Sequence, residues 1–556
     1  FDEDICRYYP YGALLSQVLG LTTVDSEGQS GLESRYEDVL RGTEGSYLRQ
    51  VDARNRQLDG TEGWYIPSQQ GCGLVLTIDA EIQEMVEKAM RECIEVNQAQ
   101  SVICLVSDVK TGAILAMCMN PCYDPNDPPR NDAETLTELM RLTAISDVYE
   151  PGSTFKILTA AAALDSGVTT PQDSFYCSAK ITVDGDTIRC WGRPHGAETM
   201  ADGLKNSCNP VFVELALRMG TDTFYRYLTA FGLGKKTGID LPGESPGILI
   251  TSRNVKRVDL ARIGFGQSVA LTPIQMMMAA NSVINGGKLM KPYIVSEIQT
   301  PDGETLERFH PTVMAAPIRP ETSDTMRLLL ERVVSEGGGK NAAIAGYRIG
   351  GKTGTAQVYK NGRVVRDTHI GSFYGFAPVN DPQVSILVIV KEADVPIDYG
   401  GTTAAPFARQ IMQEMLPYLG IDPENDEKDE EIEVPALKGL TIGDAKRKLS
   451  QVGLESVTDG VNTVVLDQLP PAGAKLVIGG HVMLYTAGSE EMTPEELVCV
   501  PDLTGLGDVD CARLVRQRGL TMSMTGQGLC TEQSPAAGEY VQPGTTIFLL
   551  MAGDDE

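Results

Sequence analysis

Two residues that can do chemistry together stand where a Pro-Gly turn meets a long apolar run. Ser153 and Lys156 follow Pro151-Gly152 directly, and residues 157–164 after them are almost all apolar. Pro and Gly ahead of good helix formers predict a helix start, with Ser153 in the first turn and Lys156 one turn later on the same face. Since a serine hydroxyl attacks only when a nearby base takes its proton, this spacing predicts a serine nucleophile beside a lysine base.

A lysine serves as that base at neutral pH only if its pKa is lowered. The positive end of a helix, partial burial and a second nearby cation would each lower the pKa of Lys156. Backbone N–H groups at the helix start can also stabilise an oxyanion. The pair alone is weak evidence, because a Ser three residues ahead of a Lys arises about once or twice by chance in a chain this long. An ordinary helix-start serine with a solvated lysine is the alternative.

A second candidate motif, Ser207-Cys208-Asn209, lies just ahead of a helical run over residues 211–218. A short Ser-x-Asn loop can direct a hydroxyl and an amide at one point, where the hydroxyl relays a proton and the amide holds a substrate carbonyl. Such tripeptides are common, so this one gains weight only from its partners.

A third candidate motif is Lys352-Thr353-Gly354-Thr355. It follows residues 347–351, which read as a strand that contains two glycines. A glycine in mid-strand lets another backbone come close, so a peptide can add to this edge while the lysine and threonines bind its carboxylate. Lys236-Thr237-Gly238 spells the same tripeptide in a loop with no following hydroxyl. The tripeptide is therefore uninformative without its context.

Length and charge limit the possible functions. The chain has 556 residues, which indicates roughly three to five domains, and its apolar fraction of 42% suits globular domains. The net charge of −28 argues against nucleic acid or an anionic membrane surface as a partner. No run approaches the roughly 18 apolar residues of a membrane span. Because the chain starts at Phe1 rather than at Met, we expect a fragment whose start has been removed.

Twelve cysteines are too few for a small disulfide scaffold, and no paired Cys-x-x-Cys spacing indicates zinc. Two β-rich runs in residues 175–191 flank Asp184-Gly185, a hairpin signal that places Cys177 opposite Cys190. A disulfide is within reach in an oxidising compartment, and two free thiols are the equal alternative. We expect surface or core positions for the four histidines, which are scattered singly: His195, His310, His369 and His481.

The pattern between residues 74 and 421 predicts a mixed α/β domain. Residues 74–78 read as a strand, and Asp79 is a good N-cap for the amphipathic helix after it. Further predicted elements are a hairpin over residues 102–106 and 113–119, a buried strand over 384–390 and an amphipathic helix over 404–419.

The C-terminal part of the chain is repetitive. Residues 422–433 are densely acidic, which predicts a solvated linker. Beyond the linker, Val434-Pro435-x-Leu437-x-Gly439-Leu440 recurs as Val500-Pro501-x-Leu503-x-Gly505-Leu506. The repeat predicts two small modules of one helix and several strands, which look like binding or spacing units.

The three motifs in this order resemble the penicilloyl serine transferases, and residues 1–420 resemble a class B penicillin-binding protein. Gly264-Phe265-Gly266-Gln267 is similar to a stretch that these enzymes carry between the second and third motifs. The tail repeats resemble PASTA modules. The resemblance implies an α/β transpeptidase fold: a five-stranded antiparallel sheet with helices on both faces and the site at the sheet's edge.

The resemblance also implies where the domains lie. They are a β-rich N-terminal pedestal (a partial dimerisation domain) over residues 1–73, a transpeptidase domain over 74–421, the linker over 422–433, and PASTA repeats over 434–487 and 498–552.

The implied activity is D,D-transpeptidation of peptidoglycan. In such an enzyme Ser153 would attack the carbonyl of the penultimate D-alanine of a stem peptide, with Lys156 as base. Ser207 would pass a proton and Asn209 would hold the substrate amide. The acyl-enzyme would then be taken by the amine of a neighbouring stem, which makes a cross-link without any metal or organic cofactor.

The third motif would bind the substrate. The resemblance assigns the terminal carboxylate to Lys352, Thr353 and Thr355, with Gly354 as part of the same binding strand. The backbone N–H groups of Ser153 and Thr355 would form the oxyanion hole.

The resemblance also implies ligands and partners. The implied ligands are stem peptides and β-lactams, and no nucleic acid. A membrane glycan polymerase and division or sporulation proteins are the implied partners, at the outer face of the bacterial cytoplasmic membrane through an N-terminal anchor missing here.

Three points qualify the resemblance. Cys208 departs from the usual pattern and, with Cys177 and Cys190, is a possible redox site closer to sporulation-type enzymes, whereas the PASTA repeats favour division enzymes. A serine β-lactamase shares the three motifs, but no Glu followed four residues later by Asn stands between Ser207 and Lys352. A D,D-carboxypeptidase and a non-catalytic scaffold or sensor of the cell wall are further alternatives.

Overall fold

The computed structural model describes residues 7–43, 45–48, 64–360, 363–423, 432–458, 464–476, 481–486, 498–526, 528–541 and 543–552. The chain divides into two compact units, Phe1–Glu424 and Asn425–Glu556. Most of the predicted acidic linker, residues 422–433, lies outside the described residues.

The N-terminal region is built from short elements. They are the helices α1 (Ser16–Leu19), α2 (Gly31–Arg35) and α3 (Glu37–Leu40) and the antiparallel strands β1 (Ser46–Leu48) and β2 (Trp64–Ile66). This region is tied to the rest of its unit by polar contacts. The Leu15 N–H donates to Glu87 Oε1 at 2.8 Å, and Gln17 Nε2 donates to the Met119 carbonyl at 3.1 Å. The described part of the pedestal therefore contains short helices besides the predicted short strands.

The rest of the first unit is larger and mixed. Its strands are β3 (Gly73–Leu76), β4 (Ser101–Asp108), β5 (Ile114–Asn120), β6 (Ser174–Cys177), β7 (Lys180–Val183), β8 (Asp186–Arg189), β9 (Gly196–Thr199), β10 (Ile248–Leu249), β11 (Val269–Ala270), β12 (Leu289–Met290), β13 (Val295–Gln299), β14 (Thr305–Arg308), β15 (Val313–Ala315), β16 (Gly350–Lys360), β17 (Arg363–Ala377) and β18 (Val384–Lys391).

Helices surround these strands. They are α4 (Ala80–Asn97), α5 (Ala133–Leu139), α6 (Thr143–Ser146), α7 (Lys156–Asp165), α8 (Met200–Lys205), α9 (Asn209–Ala230), α10 (Arg257–Ile263), α11 (Pro273–Ile284), α12 (Pro320–Ser335), α13 (Gly400–Thr403) and α14 (Ala405–Tyr418), with 3-10 turns at Gly152–Phe155 and Lys340–Ala342. No helix in the described stretches is long and apolar enough to cross a membrane.

The central sheet has five strands in the order β16-β17-β18-β4-β5, and every neighbouring pair is antiparallel. The predicted five-stranded antiparallel sheet is confirmed, and its third motif lies on the edge strand β16. The Asp79 side chain accepts from the Glu81 and Ile82 N–H groups, so the predicted N-cap of α4 is also confirmed.

Successive residues of the central strands enter two different cores. On β4, Ile103 and Leu105 join the core that contains α7, α9 and α11, whereas Val102 and Cys104 join the core that contains α4 and α14. This alternation follows from the period of two of a β-strand, and it explains why these strands read as continuous apolar runs. Helices therefore cover both faces of the sheet, as predicted.

The region after α7 contains two small two-stranded sheets, β7-β8 and β6-β9. Strands β7 and β8 pair around Asp184 and Gly185, whose φ values of 50° and 91° suit a tight hairpin turn, so this predicted hairpin is confirmed. Its predicted extension to Cys177 opposite Cys190 is wrong. Cys177 ends β6, which pairs with β9, and its partner across the strands is Gly196.

The two C-terminal modules share one topology. The first consists of β19 (Ile432–Glu433), α15 (Ile442–Gln451), β20 (Glu455–Thr458), β21 (Val465–Leu469), β22 (Lys475–Leu476) and β23 (His481–Thr486); the second consists of β24 (Val498–Cys499), α16 (Asp508–Gln517), β25 (Thr521–Gly526), β26 (Leu529–Ser534), β27 (Tyr540–Val541) and β28 (Thr546–Ala552). In each module the last strand pairs in parallel with one strand and antiparallel with another. The predicted one-helix modules are confirmed.

Glycines let two backbones close around the 3-10 turn. The Gly152 N–H donates to the Gly266 carbonyl at 3.0 Å. A β-carbon on Gly266, where φ is 86°, would lie 2.0 Å from the Gly152 carbonyl oxygen. A β-carbon on Gly152 would lie 2.6 Å from the Thr355 carbonyl oxygen. The turn is thus wedged between β16 and the stretch 264–267, and no side chain fits at either glycine.

We expect Gly266→Ala to destabilise the first unit more than Gly303→Ala does. Gly303 has a φ of 85°, but a β-carbon added there would meet no atom within 4 Å, so its substitution costs only the left-handed backbone, about 1–2 kcal/mol. Gly266→Ala adds a steric overlap of roughly 1–3 kcal/mol. Thermal unfolding of both variants checks this, and equal shifts would show that the turn is not wedged.

Candidate active site

Ser153 lies on the 3-10 turn Gly152–Phe155, and Lys156 is the first residue of α7. The Lys156 N–H donates to the carbonyls of Ser153 and Thr154, so the turn runs directly into the helix. The predicted helix start is confirmed, with a first turn tighter than an α-helix. Ser153 is half-buried, whereas Lys156 is fully buried because α7 lies inside a core and is apolar nearly all round.

The second motif holds the ammonium group of Lys156. Lys156 Nζ donates to the Ser207 carbonyl at 2.6 Å, to Asn209 Oδ1 at 2.7 Å and to Ser207 Oγ at 3.2 Å. The ring of Phe212 lies 5.4 Å from Nζ, close enough for a cation–π contact. These contacts replace the water that a fully buried amine has lost. The first and second motifs therefore meet in the structure.

The third motif reaches the same hydroxyl through Lys352. Lys352 Nζ donates to Ser207 Oγ at 3.0 Å and to the Thr353 carbonyl at 3.1 Å. Lys352 is also fully buried, although it lies on an edge strand. Ser207 Oγ thus accepts hydrogen bonds from two lysines that come from segments about 200 residues apart in sequence, residues 156 and 352.

Burial lowers the pKa of both lysines. For Lys156 the pKa falls to about 7, with the nearby Cys190, Cys208 and Glu198 opposing the effect of burial. For Lys352 burial, and then the neighbouring Lys156, lower the pKa well below its ordinary value. Two buried amines that share one hydroxyl repel each other when both are charged, so at least one is neutral near pH 7. A neutral lysine amine is a competent general base.

The loop that carries Ser207 has an uncommon conformation and is held by its neighbours. Ser207 has a φ of 55°, in the left-handed region that serine seldom adopts. Asn209 Nδ2 donates to the Arg189 carbonyl at 3.0 Å, and Trp191 Nε1 donates to the Asn206 carbonyl at 2.9 Å. The end of β8 and the residues after it therefore support the motif on both sides of Ser207.

The remaining residues of the third motif line the sheet's edge. Among the described residues β16 pairs only with β17, so its other side is open to an added strand. A β-carbon on Gly354 would lie 2.4 Å from Ser372 Oγ and 2.9 Å from Thr154 Cγ2, so only glycine lets the strand pass the turn. The Gly400 N–H donates to Thr355 Oγ1 at 3.4 Å, which places the start of α13 beside this hydroxyl.

The other Lys-Thr-Gly sequence has a different structure. Thr237 donates through its N–H and its hydroxyl to Glu244 Oε1 at 2.5 and 2.6 Å, and the Gly238 N–H donates to Glu244 Oε2 at 3.1 Å. These residues belong to a loop closed around an internal carboxylate. Context therefore does separate the two tripeptides.

The predicted redox cysteines are brought together without a bond between them. Cys177, Cys190 and Cys208 are free thiols, so a disulfide of Cys177 with Cys190, one of the two alternatives that the sequence left open, is not formed. Their sulfur atoms and a ring nitrogen of His195 nevertheless lie within 4.8 Å of one another. His195 was expected to be an isolated histidine, and its place in the cluster was missed; the Cys-x-x-x-x-His spacing from Cys190 was the only signal in the sequence.

A second pair was missed at the edge of the site. His369 Nδ1 lies 2.8 and 2.9 Å from the two carboxylate oxygens of Asp398. Asp398 lies two residues before Gly400, the first residue of α13, so this pair anchors the start of α13 to β17. The histidine is remote from Asp398 in sequence, and no local pattern joined the two.

The chain belongs to the penicillin-binding protein transpeptidase family. Residues 102–413 match the penicillin-binding protein transpeptidase domain, residues 1–76 match the penicillin-binding protein dimerisation domain, and residues 432–488 and 498–553 match the PASTA domain. A class B penicillin-binding protein with two PASTA repeats is thus confirmed, as is a serine-type peptidoglycan D,D-transpeptidase at the level of the family.

Three relatives illustrate the family. Stage V sporulation protein D of Bacillus subtilis is 38% identical over 500 residues, 88% of this chain and 77% of that protein. The probable peptidoglycan D,D-transpeptidase PenA of Neisseria gonorrhoeae is 30% identical over 76% of this chain and 70% of its own. Peptidoglycan D,D-transpeptidase FtsI of Escherichia coli is 30% identical over 76% of this chain and 69% of its own.

Solved structures agree on the fold. Penicillin-binding protein 3 of Mycobacterium tuberculosis complexed with aztreonam has a TM-score of 0.67 at 28% identity, over 75% of this chain and 91% of that chain. Penicillin-binding protein 2X of Streptococcus thermophilus has a TM-score of 0.66 at 22% identity, over 98% of this chain and 82% of that chain. The transpeptidase fold predicted from the sequence is confirmed.

The lowered pKa of Lys156 predicts the pH dependence of acylation by a β-lactam. Because the pKa is about 7, roughly a tenth of Lys156 is neutral at pH 6 and roughly nine tenths at pH 8. The acylation rate should therefore rise about tenfold between these pH values, measured by stopped-flow with a fluorescent penicillin.

Lys391→Arg is the control, since Lys391 is a half-buried lysine whose pKa is also lowered by burial. The Lys391→Arg variant should show the same rise of acylation rate with pH as the wild type, whereas the Lys156→Arg variant should be acylated negligibly at every pH. A wild-type rate that is flat from pH 6 to pH 8 would contradict a Lys156 base with this pKa.

Proposed function

We propose that Ser153 is the acylated nucleophile of this transpeptidase and that Lys156 is its general base. The observation that carries the proposal is the meeting of all three motifs at one hydroxyl, that of Ser207. Ser153 stands three residues ahead of Lys156 on the turn that β16 and residues 264–267 hold in place. A neutral Lys156 accepts the proton of the Ser153 hydroxyl as its oxygen attacks the carbonyl carbon of the penultimate D-alanine.

The remaining steps use the groups around that hydroxyl. The backbone N–H groups of Ser153 and Thr355 stabilise the tetrahedral oxyanion. Collapse of this intermediate breaks the peptide bond, and the departing D-alanine amine takes the proton that Lys156 holds, through the hydroxyl of Ser207. The two lysine contacts to Ser207 Oγ, at 3.2 and 3.0 Å, make it a suitable relay. Asn209 uses its second Nδ2 hydrogen for the substrate amide.

The substrate lies along the sheet's edge as an added strand. β16 has an open side, so the stem peptide forms backbone hydrogen bonds there, while Lys352, Thr353 and Thr355 bind its terminal carboxylate. Gly354 keeps the strand close to the turn. After D-alanine leaves, the amine of a second stem attacks the Ser153 ester. This step forms the new amide and regenerates the free Ser153 hydroxyl. No glycan polymerisation is assigned to this chain.

The domains support this reaction at the cell surface. We assign residues 1–73 to the pedestal, 74–421 to the transpeptidase domain, 422–433 to a linker, and 434–487 and 498–552 to PASTA repeats. The relatives named above and the PASTA matches support a place at the outer face of the bacterial cytoplasmic membrane. A membrane glycan polymerase and division or sporulation proteins are its partners there.

Covalent labelling tests the nucleophile. Fluorescent penicillin should label the wild type and fail to label Ser153→Ala, with loss of the adduct from the peptide that contains residue 153 in mass spectra. Ser166→Ala is the matched control, because Ser166 lies at the C-terminal end of α7, away from Lys156 at its N-terminal end. It should label as the wild type does, and labelling of Ser153→Ala would disprove the assignment.

Product analysis tests the acceptor. With a pentapeptide-bearing lipid-linked glycan as substrate, the wild type should release D-alanine and form cross-linked dimers, and Ser153→Ala should do neither. Tetrapeptides without dimers would instead identify a carboxypeptidase. Rapid turnover of a chromogenic cephalosporin would identify a β-lactamase, and labelling without any product would favour a scaffold or sensor.

A further inference from the structure

A cluster of four metal-binding side chains lies beside the active site. Cys177, Cys190, Cys208 and His195 offer three sulfur atoms and one ring nitrogen, all within 4.8 Å of one another. The three cysteines are buried and His195 is half-buried. The Nδ1 atom of His195 lies 3.9 Å from Cys190 Sγ. The reaction described above uses none of these side chains.

The size of the cluster suits a tetrahedral ion. Zinc–sulfur bonds of about 2.3 Å place the corners of a tetrahedron about 3.8 Å apart. Donor atoms within 4.8 Å of one another reach that arrangement if each moves inward by at most roughly 0.6 Å, which side-chain rotation supplies. Three sulfurs and one imidazole nitrogen also form one of the usual closed sets of structural zinc sites.

A buried carboxylate provides a second, independent observation. The side chain of Glu198 is only 3% exposed, and its Oε2 accepts from Asn206 Nδ2 at 3.2 Å. Its Oε1 has no hydrogen-bond partner among the described residues, and it faces His195 Nδ1 at 3.7 Å. A buried carboxylate oxygen without a partner is costly unless positive charge lies nearby. When Nε2 of His195 binds a metal ion, its Nδ1–H group becomes the donor that this carboxylate lacks, which is the usual partnership of a metal-bound histidine.

We propose that Cys177, Cys190, Cys208 and His195 bind one zinc ion as a structural site. Thiolates and imidazole together favour zinc over magnesium or calcium, which prefer oxygen donors. Four protein donors leave no open position for water or substrate, so the ion has no direct chemical role. Each cysteine gives up its proton to solvent when it binds the ion. No Cys-x-x-Cys spacing marks this site in the sequence, because the donors come from three separate segments.

The ion affects catalysis indirectly, because it holds the loop that carries Ser207 in place. Cys208 stands between Ser207 and Asn209, and Cys190 follows Arg189, whose carbonyl accepts from Asn209 Nδ2. Binding both cysteines to one ion therefore joins the end of β8 to the loop in which Ser207 keeps its left-handed φ of 55°. Cys190 and Cys208 are thus positioning residues. Without the ion the loop is free to relax, and the Ser207 hydroxyl leaves its place between the two lysines.

Metal content tests the site directly. The full chain, purified with a thiol reductant and supplied with zinc, should carry about one tightly bound zinc by mass spectrometric elemental analysis. Cys190→Ala should lose it. Cys104→Ala is the matched control, since Cys104 is also buried but lies on β4 in the core that contains α4 and α14, and this variant should keep the metal.

Two readouts keep the proposal testable if Cys190→Ala fails to fold. Cobalt(II) substituted into the wild type should give intense thiolate charge-transfer absorption and tetrahedral d–d bands. Removal of zinc from the wild type should slow acylation by a fluorescent penicillin about tenfold or more with little change in β-lactam affinity, and zinc should restore the rate.

The proposal is overturned if the reduced, zinc-supplied chain carries no metal, or if Cys104→Ala and Cys190→Ala lose metal alike. It is equally overturned if intact mass shows a disulfide within the cluster in zinc-supplied, reduced protein. Cobalt that binds without thiolate absorption would place the metal elsewhere on the chain and overturn it too. These outcomes do not bear on Ser153, whose labelling test uses no metal.

Discussion

Two fully buried lysine side chains share one serine hydroxyl, and the rest of the first unit is arranged to make that possible. Burying a single ammonium group costs several kcal/mol unless hydrogen bonds and neutralisation compensate. Here the compensation comes from the Ser207 and Thr353 carbonyls and from Asn209 Oδ1, and from the lowered pKa of both amines. A site built this way is water-poor and electrostatically strong, which suits a nucleophile that needs a base at neutral pH.

The fold provides this environment through close backbone contacts more than through large side chains. Helix α7 is rich in alanine, so it fits within a core and brings Lys156 deep into the unit. Gly152, Gly266 and Gly354 let the turn, the 264–267 stretch and the edge strand approach within distances that exclude a β-carbon. The edge position of β16 leaves room for a peptide on the open side. The metal site proposed above would also hold the loop with Ser207 in place, because it would join Cys208 in that loop to Cys190 after β8.

Local patterns predicted much of this from sequence. The N-cap at Asp79, the β4–β5 hairpin, the buried β18 and the repeat modules follow from periodicity and turn chemistry that act over a few residues. The three motifs were recognisable because each keeps its residue types at short spacing. The family resemblance implied that the three motifs form one site. Their meeting at the Ser207 hydroxyl depends on segments far apart in sequence and was seen only in the structure.

The features that the sequence predicted wrongly or missed also depend on contacts between distant segments. Strand β6 could pair with the segment before Cys190 or with β9, and tertiary packing favours β9, so the local hairpin pattern extended too far. The pair of His369 with Asp398 joins residues that no local spacing connects, and in the cluster of Cys177, Cys190, Cys208 and His195 only Cys190 and His195 are close in sequence. Long-range side-chain clusters of this kind need the folded chain to be seen.

The protonation state of the two lysines tests the central claim most directly. Nuclear magnetic resonance of the chain labelled at the lysine ε-carbon follows each amine, with Lys156→Arg used to assign its signal. The account predicts that the Lys156 signal titrates near pH 7, more than three units below an ordinary lysine, for which the pKa is about 10.4. If Lys156 and Lys352 both remain charged up to pH 9, the two amines do not share the hydroxyl as described, and the account fails.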